Sequence, residues 1–219
     1  MAQTAADHLV YHFTHVSNLA GIVRDGLLCD SAVSGSLQHE AGDQQIKRRR
    51  RQKAVPCDSG GVVADYVPFY FAPRSPMMYR ITNPHGRAGG GVATYGRPPH
   101  ELVYLVSSVE RLRRAGLTLV LSDRNAATEY ATFCDDPGRW FAEGFIDWAV
   151  MRATYWSNTP DDPDRMERRM AECLVHRRVP WDAVASVATH DVAVARQARA
   201  AFQASARAVA VEVKSGWYF

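Results

Sequence analysis

Apolar and polar positions along this chain alternate one by one over short stretches and only briefly hold a helical repeat, which predicts many short strands joined by short helices and loops. Residues 10–14 read as a strand. Leu19, Ile22 and Val23 then share one helical face, with Ser17 placed as an N-cap and Gly26 as the stop. Residues 67–72 are short and aromatic, a strand whose Pro68 marks its beginning or a sheet edge, because proline brings no N–H to a ladder. Residues 73–79 turn and lead into a helical turn. A strand over 102–106, a helix over 109–115 stopped by Gly116 and a strand over 117–121 follow. Closing strands are expected over 173–176, 184–188 and 209–213, with a helix over 192–206 favoured by its alanines and arginines.

Three stretches lack such patterning. Residues 29–61 are polar and then strongly basic, too long for a simple connection, and read as a functional loop. Residues 83–99 are rich in Gly and Pro and read as another. Between 122 and 170, aromatic residues from Trp140 to Trp156 are interspersed with acidic loops, so helical pieces are expected without clear bounds. Trp217, Tyr218 and Phe219 should be buried, since three aromatic rings gain nothing in a free tail. Strands outnumber long helices and do not alternate regularly with them, which favours α+β over a doubly wound α/β sheet. The 219 residues contain no Pro/Ser-rich linker, which suits a single domain over 1–219.

Charge and cysteine usage narrow the picture. The formal net charge of +3 is mild, but Lys47, Arg48, Arg49, Arg50, Arg51 and Lys53 form one dense run, and Arg165, Arg168, Arg169, Arg177 and Arg178 flank Glu172. Such local positive potential points to an anionic partner. Cys29, Cys57, Cys134 and Cys173 form no C-x-x-C pair, so neither a zinc site nor a disulfide framework is expected, and a reducing cytoplasm fits. The first residues lack the basic and apolar regions of a signal peptide, and no apolar run approaches the roughly 18 residues of a membrane span, so no membrane association is expected.

The cluster from Gly86 to Gly91 lacks the preceding strand and following helix of a dinucleotide-binding turn. His12 and His15 fall on opposite faces of a strand, which makes them poor partners for one metal, and no metal is expected. There remain His12, Thr14, the arginine run, and Glu172, a lone carboxylate opening an apolar strand. Taken singly, each has a structural explanation: a histidine bonded to backbone, a β-favouring threonine, a solvated basic face, a carboxylate paired with Arg168 or Arg169.

In combination these residues resemble a known family. The segments are Tyr11-His12-Phe13-Thr14-His15 with Asn18-Leu19 and Gly21-Ile22; Ala54-Val55-Pro56 after the basic run; residues 65–77; Ser122-Asp123-Arg124; and Ala171-Glu172-Cys173-Leu174-Val175. In this order, and over nearly the whole chain, they resemble the DarT DNA ADP-ribosyltransferase toxins. The resemblance implies an ADP-ribosyltransferase-like α+β fold, with central split, antiparallel-rich sheets, flanking helices and long functional loops. It implies NAD as co-substrate, held by His12, Thr14, Asn18, Gly21, Arg50 and Met77, with Glu172 and Arg50 catalytic. The run of four arginines leaves Arg49 and Arg51 as alternative registers for Arg50. It further implies a toxin that modifies a base, expected to be thymidine, in single-stranded DNA, and a macrodomain antitoxin that removes the mark.

The chemistry suits these residue types. Breaking the nicotinamide–ribose bond builds positive charge on the sugar, which a carboxylate such as Glu172 stabilises through a ribose hydroxyl. Arg50 brings a permanent charge and a planar fork for a diphosphate or for a base losing its proton. For single-stranded DNA, Tyr155, Trp156, Arg165, Arg168 and Arg169 offer stacking and phosphate contacts. Where thymidine-modifying relatives carry a histidine after Asp-Arg, this chain has Asn125, a departure that bears on base preference and sequence context. Competing readings are ADP-ribosylation of guanine, RNA or protein, and a non-enzymatic nucleic-acid-binding module.

Overall fold

The alternating pattern resolves into strands that meet along one large sheet. The computed structural model describes residues 8–33, 44–83, 98–142, 144–203 and 207–219. Its strands are β1 (Leu9–His15), β2 (Leu27–Leu28), β3 (Tyr66–Tyr70), β4 (Leu102–Ser108), β5 (Leu119–Ser122), β6 (Phe133–Cys134), β7 (Glu172–His176), β8 (Arg178–Val179), β9 (Ser186–Thr189) and β10 (Ala210–Val213). Its helices are α1 (Leu19–Asp25), α2 (Gln44–Gln52), α3 (Pro76–Thr82), α4 (Val109–Arg114), α5 (Trp148–Arg152), α6 (Arg165–Arg169) and α7 (Val192–Ala201). Eight strands form one sheet in the order β10-β9-β4-β1-β3-β7-β5-β6, and β2 pairs with β8 separately. Among the described strand pairs, only β9–β10 is parallel.

The sheet is split. β1 and β4 pair from Leu9↔Ser108 to His15↔Leu102, and β3 and β7 from Tyr66↔His176 to Tyr70↔Glu172, yet β1 and β3 meet only at Tyr11↔Tyr70. Beyond that pair the two halves diverge. This opening explains Pro68, which lies inside β3, a central strand, and marks neither a strand start nor a sheet edge as the sequence suggested. The Pro68 carbonyl accepts from His12 Nδ1 at 2.8 Å, so the backbone of this residue faces β1 where the ladder has opened. Its missing N–H therefore leaves no ladder bond unmade.

Side chains on the two faces follow the period of two. Val10, Val67, Phe69, Leu105, Cys173 and Val175 face a core closed by Leu19 and Ile22 of α1 and by Val194 and Ala198 of α7. Tyr11, Tyr70, Leu102 and Tyr104 face the other way, against Met77, Met78 and Ile81 of α3 and against Tyr218. Of the three aromatic residues expected to be buried there, Tyr218 is buried, its hydroxyl donating to Ala188 O at 3.0 Å, while Trp217 and Phe219 are half-buried against the same cluster. A smaller cluster of Val55, Val63, Tyr66, Val120, Ala126 and Leu174 continues this face beneath β7.

Several local expectations are corrected. Ser17 does not cap α1; it lies in a 3-10 turn, Val16–Asn18, and its N–H is accepted by His15 Nδ1. Gly26 does stop the helix, at φ +82°. The basic part of residues 29–61 is the helix α2, not a loop. α7 ends at Ala201 with Phe202 as C-cap, short of the expected 206. The expected loop over 83–99, including the glycine cluster, falls largely outside the described residues, at 84–97.

Candidate active site

Glu172 opens β7 with none of its surface exposed, and its cross-strand neighbours are Tyr70 on β3 and Ser122 on β5. A carboxylate there persists only if its charge is compensated. Arg50 Nη1 donates to both oxygens, at 3.1 Å to Oε1 and 2.9 Å to Oε2, and the Ala126 N–H donates to Oε1 at 3.0 Å. Asn125 shapes that last donor, since its Oδ1 accepts from the Ala127 N–H at 3.0 Å and tightens the loop around Ala126.

Arg50 reaches Glu172 because α2 fixes its rotation. Lys47 and Arg51, four residues apart, lie on one side of the helix and both bind Asp30, at 2.5 and 3.0 Å. Arg48 and Arg49 are exposed, while Arg50 alone of the four arginines is buried. Its Nη2 is buried with no hydrogen-bond partner among the described residues. The geometry therefore brings Arg50 to Glu172, and neither Arg49 nor Arg51.

His12 lies across the split between β1 and β3. Its Nδ1 must carry the proton donated to Pro68 O, which leaves Nε2 as an acceptor. Burial lowers its pKa to about 4 and the nearby Arg50 charge adds to this, against the Pro68 bond, so the ring is neutral at physiological pH. Thr14 and Asn18 are both buried, with Asn18 Nδ2 donating to Thr14 Oγ1 at 3.1 Å. Gly21 sits inside α1, where glycine costs roughly 0.5–1 kcal/mol relative to alanine, yet a Cβ there would meet nothing within 4 Å. Met77 is buried at the start of α3, whose N-cap Ser75 accepts from Met78 N at 3.2 Å. His15 points to the other face of β1, onto Ser17 Oγ at 2.7 Å, and no metal-binding cluster of three side chains exists among the described residues.

Three groups that place or adjoin the Arg50–Glu172 pair escaped the sequence reading: Asp30, which orients α2, the Ala126 backbone, and Tyr70. The Tyr70 phenol stacks beside Phe13 at 6.2 Å, and its hydroxyl has no hydrogen-bond partner among the described residues. Burial, with the neighbouring Glu172 charge, raises its pKa and keeps it protonated.

The residues expected to face a nucleic acid are divided. Tyr155 is 84% exposed. Arg165 lies at the start of α6, with Asp162 at 3.9 Å. Trp156, only 9% exposed, packs edge-on against Tyr79 and Phe219. Arg168 is gripped by Asp147, Asp162 and Asp164. Arg169 is 4% exposed and its Nη1 donates to the carbonyls of Val150, Met151 and Ala153. Burial lowers its pKa to about 10, with the Arg74 charge contributing. Trp156, Arg168 and Arg169 thus pin the segment before Glu172 through packing, ion pairs and backbone carbonyls. Asn125 is likewise buried and shapes the loop that holds Glu172.

A family model described as ssDNA thymidine ADP-ribosyltransferase, DarT, matches residues 11–219. The DNA ADP-ribosyl transferase of Thermus sp. (strain 2.9) is 34% identical over 213 residues, covering 96% of this chain and 95% of the relative. That of Mycobacterium tuberculosis (strain ATCC 25618 / H37Rv) is 35% identical over 220 residues, covering 97% and 90%. Among solved structures, Thermus sp. 2.9 DarT in complex with ADP-ribosylated ssDNA aligns with a TM-score of 0.87 at 32% identity over 100% of both chains. The same protein in complex with NAD+ aligns with a TM-score of 0.82 at 32% identity, over 97% and 98%. This chain belongs to the DarT family of single-stranded-DNA thymidine ADP-ribosyltransferases.

Proposed function

We propose that the chain transfers ADP-ribose from NAD to thymidine in single-stranded DNA, with Glu172 and Arg50 as catalytic residues and His12, Thr14, Asn18, Gly21, Arg50 and Met77 lining the NAD site. The observation that carries this reading is the unexposed Glu172 clamped by Arg50 and the Ala126 N–H, opposite the Tyr70 at which the sheet splits. The residues fit NAD: Arg50 Nη2 is a buried donor lacking a partner among the described residues, and open space stands over Gly21. The neutral His12 presents Nε2 as an acceptor for a hydroxyl.

NAD supplies the ADP-ribosyl group and nicotinamide as its leaving group. As that C–N bond breaks, its electron pair stays with the nicotinamide nitrogen and positive charge grows on the ribose. Glu172, held rigid by two donors, stabilises that charge through a ribose hydroxyl. Thymine in DNA has one ring nitrogen with a proton, N3. The new bond forms from the ribose C1 to that nitrogen, and its proton passes to Glu172, the nearest carboxylate. Arg50 Nη2 donates to the adjacent carbonyl oxygen and stabilises the negative charge that develops on the base. Unpaired DNA is the suitable acceptor because no base need be extracted from a duplex.

Such a mark blocks replication, and the family resemblance supports a toxin paired with a macrodomain antitoxin that removes it. The four unpaired cysteines suit a cytoplasmic setting. No described helix is long and apolar enough to cross a membrane. Radiolabelled NAD incubated with single strands that contain or lack thymidine tests the acceptor. Incorporation should require thymidine. Equal labelling of thymidine-free strands, of RNA or of protein would overturn the assignment.

A further inference from the structure

Of the residues expected to meet DNA, Trp156 and Arg169 are buried and Arg168 is bound by three aspartates, which leaves a strand more contacts to find than Tyr155 and Arg165 supply. An opening of about 670 Å³ is walled by the two segments that hold the ion pair, α2 with the residues just after it and the loop running on from Arg124, and by Pro163, Asp164 and Glu167 at the start of α6. Arg49 and Lys53 line one wall and Arg124 and Tyr130 the other. Arg49 is the chain neighbour of Arg50, and Ala127, also in the lining, follows the Ala126 whose N–H holds Glu172.

The lining is unusual in what it leaves uncommitted. Arg124 is neutralised by Asp123 and Asp164, and among the described residues Lys53 Nζ donates only to the neutral Glu129 carbonyl, at 2.9 Å. The Arg49 side chain is exposed and makes no ion pair or hydrogen bond among the described residues. Tyr130 is 80% exposed, so folding gains little from its ring. Glu129 and Glu167 also line the opening, while Asp164 is already shared by Arg124 and Arg168. This mixture suits a single nucleotide better than a bare polyanion: cations for a phosphate, a free ring for a base, and carboxylates for a donating base edge.

We infer that this opening is a subsite for a nucleotide flanking the modified thymidine, its base stacked on Tyr130 and its phosphate on Arg49 and Lys53. The inference rests on the DNA-modifying function proposed above. It identifies Tyr130 and Arg49 as determinants of DNA binding that touch neither NAD nor the reacting atoms.

The test is equilibrium binding of a fluorescently labelled single strand carrying one thymidine, measured over a range of salt for the parent and for Tyr130→Ala, Tyr130→Phe, Arg49→Ala and Tyr155→Ala, with NAD affinity measured separately. Tyr130→Ala should weaken DNA binding roughly tenfold, as loss of one stacked base does, and Tyr130→Phe should stay within about twofold. Arg49→Ala should lower the salt slope by about 0.7, the share of one single-strand phosphate. NAD affinity should be unchanged in all of them. If the parent binds and modifies the strand while Tyr130→Ala and Arg49→Ala bind as it does, or if only Tyr155→Ala weakens binding, the subsite is overturned and the proposed function stands. A parent that neither binds nor modifies single-stranded DNA overturns the functional reading itself.

Discussion

Four consecutive arginines on one helix cannot share one environment, because each step turns the side chain by about 100° around the axis. That rotation separates Arg50, buried on Glu172, from Arg49 in the lining of the neighbouring opening and from Arg51 on Asp30. Arg50→Ala leaves an uncompensated buried carboxylate, so it should lower stability by about 3 kcal/mol and cut transfer at saturating DNA by at least about a hundredfold. Arg49→Ala and Arg51→Ala should stay within about 0.5 kcal/mol of the parent, as surface changes do, and keep most of the rate. Urea titration and initial rates on the three variants decide this; equal, mild losses in all three would remove the catalytic role from Arg50. His12 gives a second prediction. Its pKa falls from 6.5 to about 4 on folding, so the unfolded chain binds the proton more readily below pH 6.5. Its contribution is present above that value and declines as pH drops towards 4, by roughly 3 kcal/mol in full. The stability gap between parent and His12→Gln should shrink over that window, and a gap independent of pH would contradict the neutral ring. Glu172 and Arg50 were legible in the sequence as residue types at family positions. The choice among the arginines was not, because a stretch read as a loop assigns no rotation.

At the scale of elements, short strands were readable and their terminations less so. β4 and β7 are short, nearly continuous apolar runs of the kind a buried strand shows, and Gly26 and Gly116 stop helices at positive φ as a glycine permits. α2 was missed because so charged a segment shows no apolar stripe; it is held by Asp30 and by Ile46 against the core, contacts made across the chain. α5 and α6 were unbounded for the same reason: Arg168 is fixed by Asp147 and Asp162, and no local pattern announces such pairs. α1 carries the prediction proper to this scale. Gly21 has ordinary helical backbone and nothing above it, so Gly21→Ala should stabilise the fold by about 0.5 kcal/mol or more. Gly21→Leu should leave the melting temperature intact while raising the KM for NAD about tenfold or more, since the larger side chain fills the space assigned to the ligand. A Gly21→Leu enzyme with unaltered KM would place NAD away from α1.

Across the whole molecule, function follows from how the sheet divides. β1 and β3 touch at a single pair, Tyr11 and Tyr70, and the divergence beyond it allows Pro68 inside a central strand, His12 across the gap, and Glu172 at the rim with Arg50 over it. The α+β class and the split were implied by the sequence through family resemblance. The place of the split was not, because the pairing of β3 with β7 joins residues more than a hundred positions apart. The central claim is that this rim transfers ADP-ribose to thymidine through Glu172. Mass spectrometry of a mixed-sequence single strand, incubated with NAD and either the parent or Glu172→Ala, tests it most directly. One ADP-ribose should appear on thymidine with the parent and none with the variant. An adduct that persists without Glu172, or a parent that leaves the strand unmodified, would contradict the account.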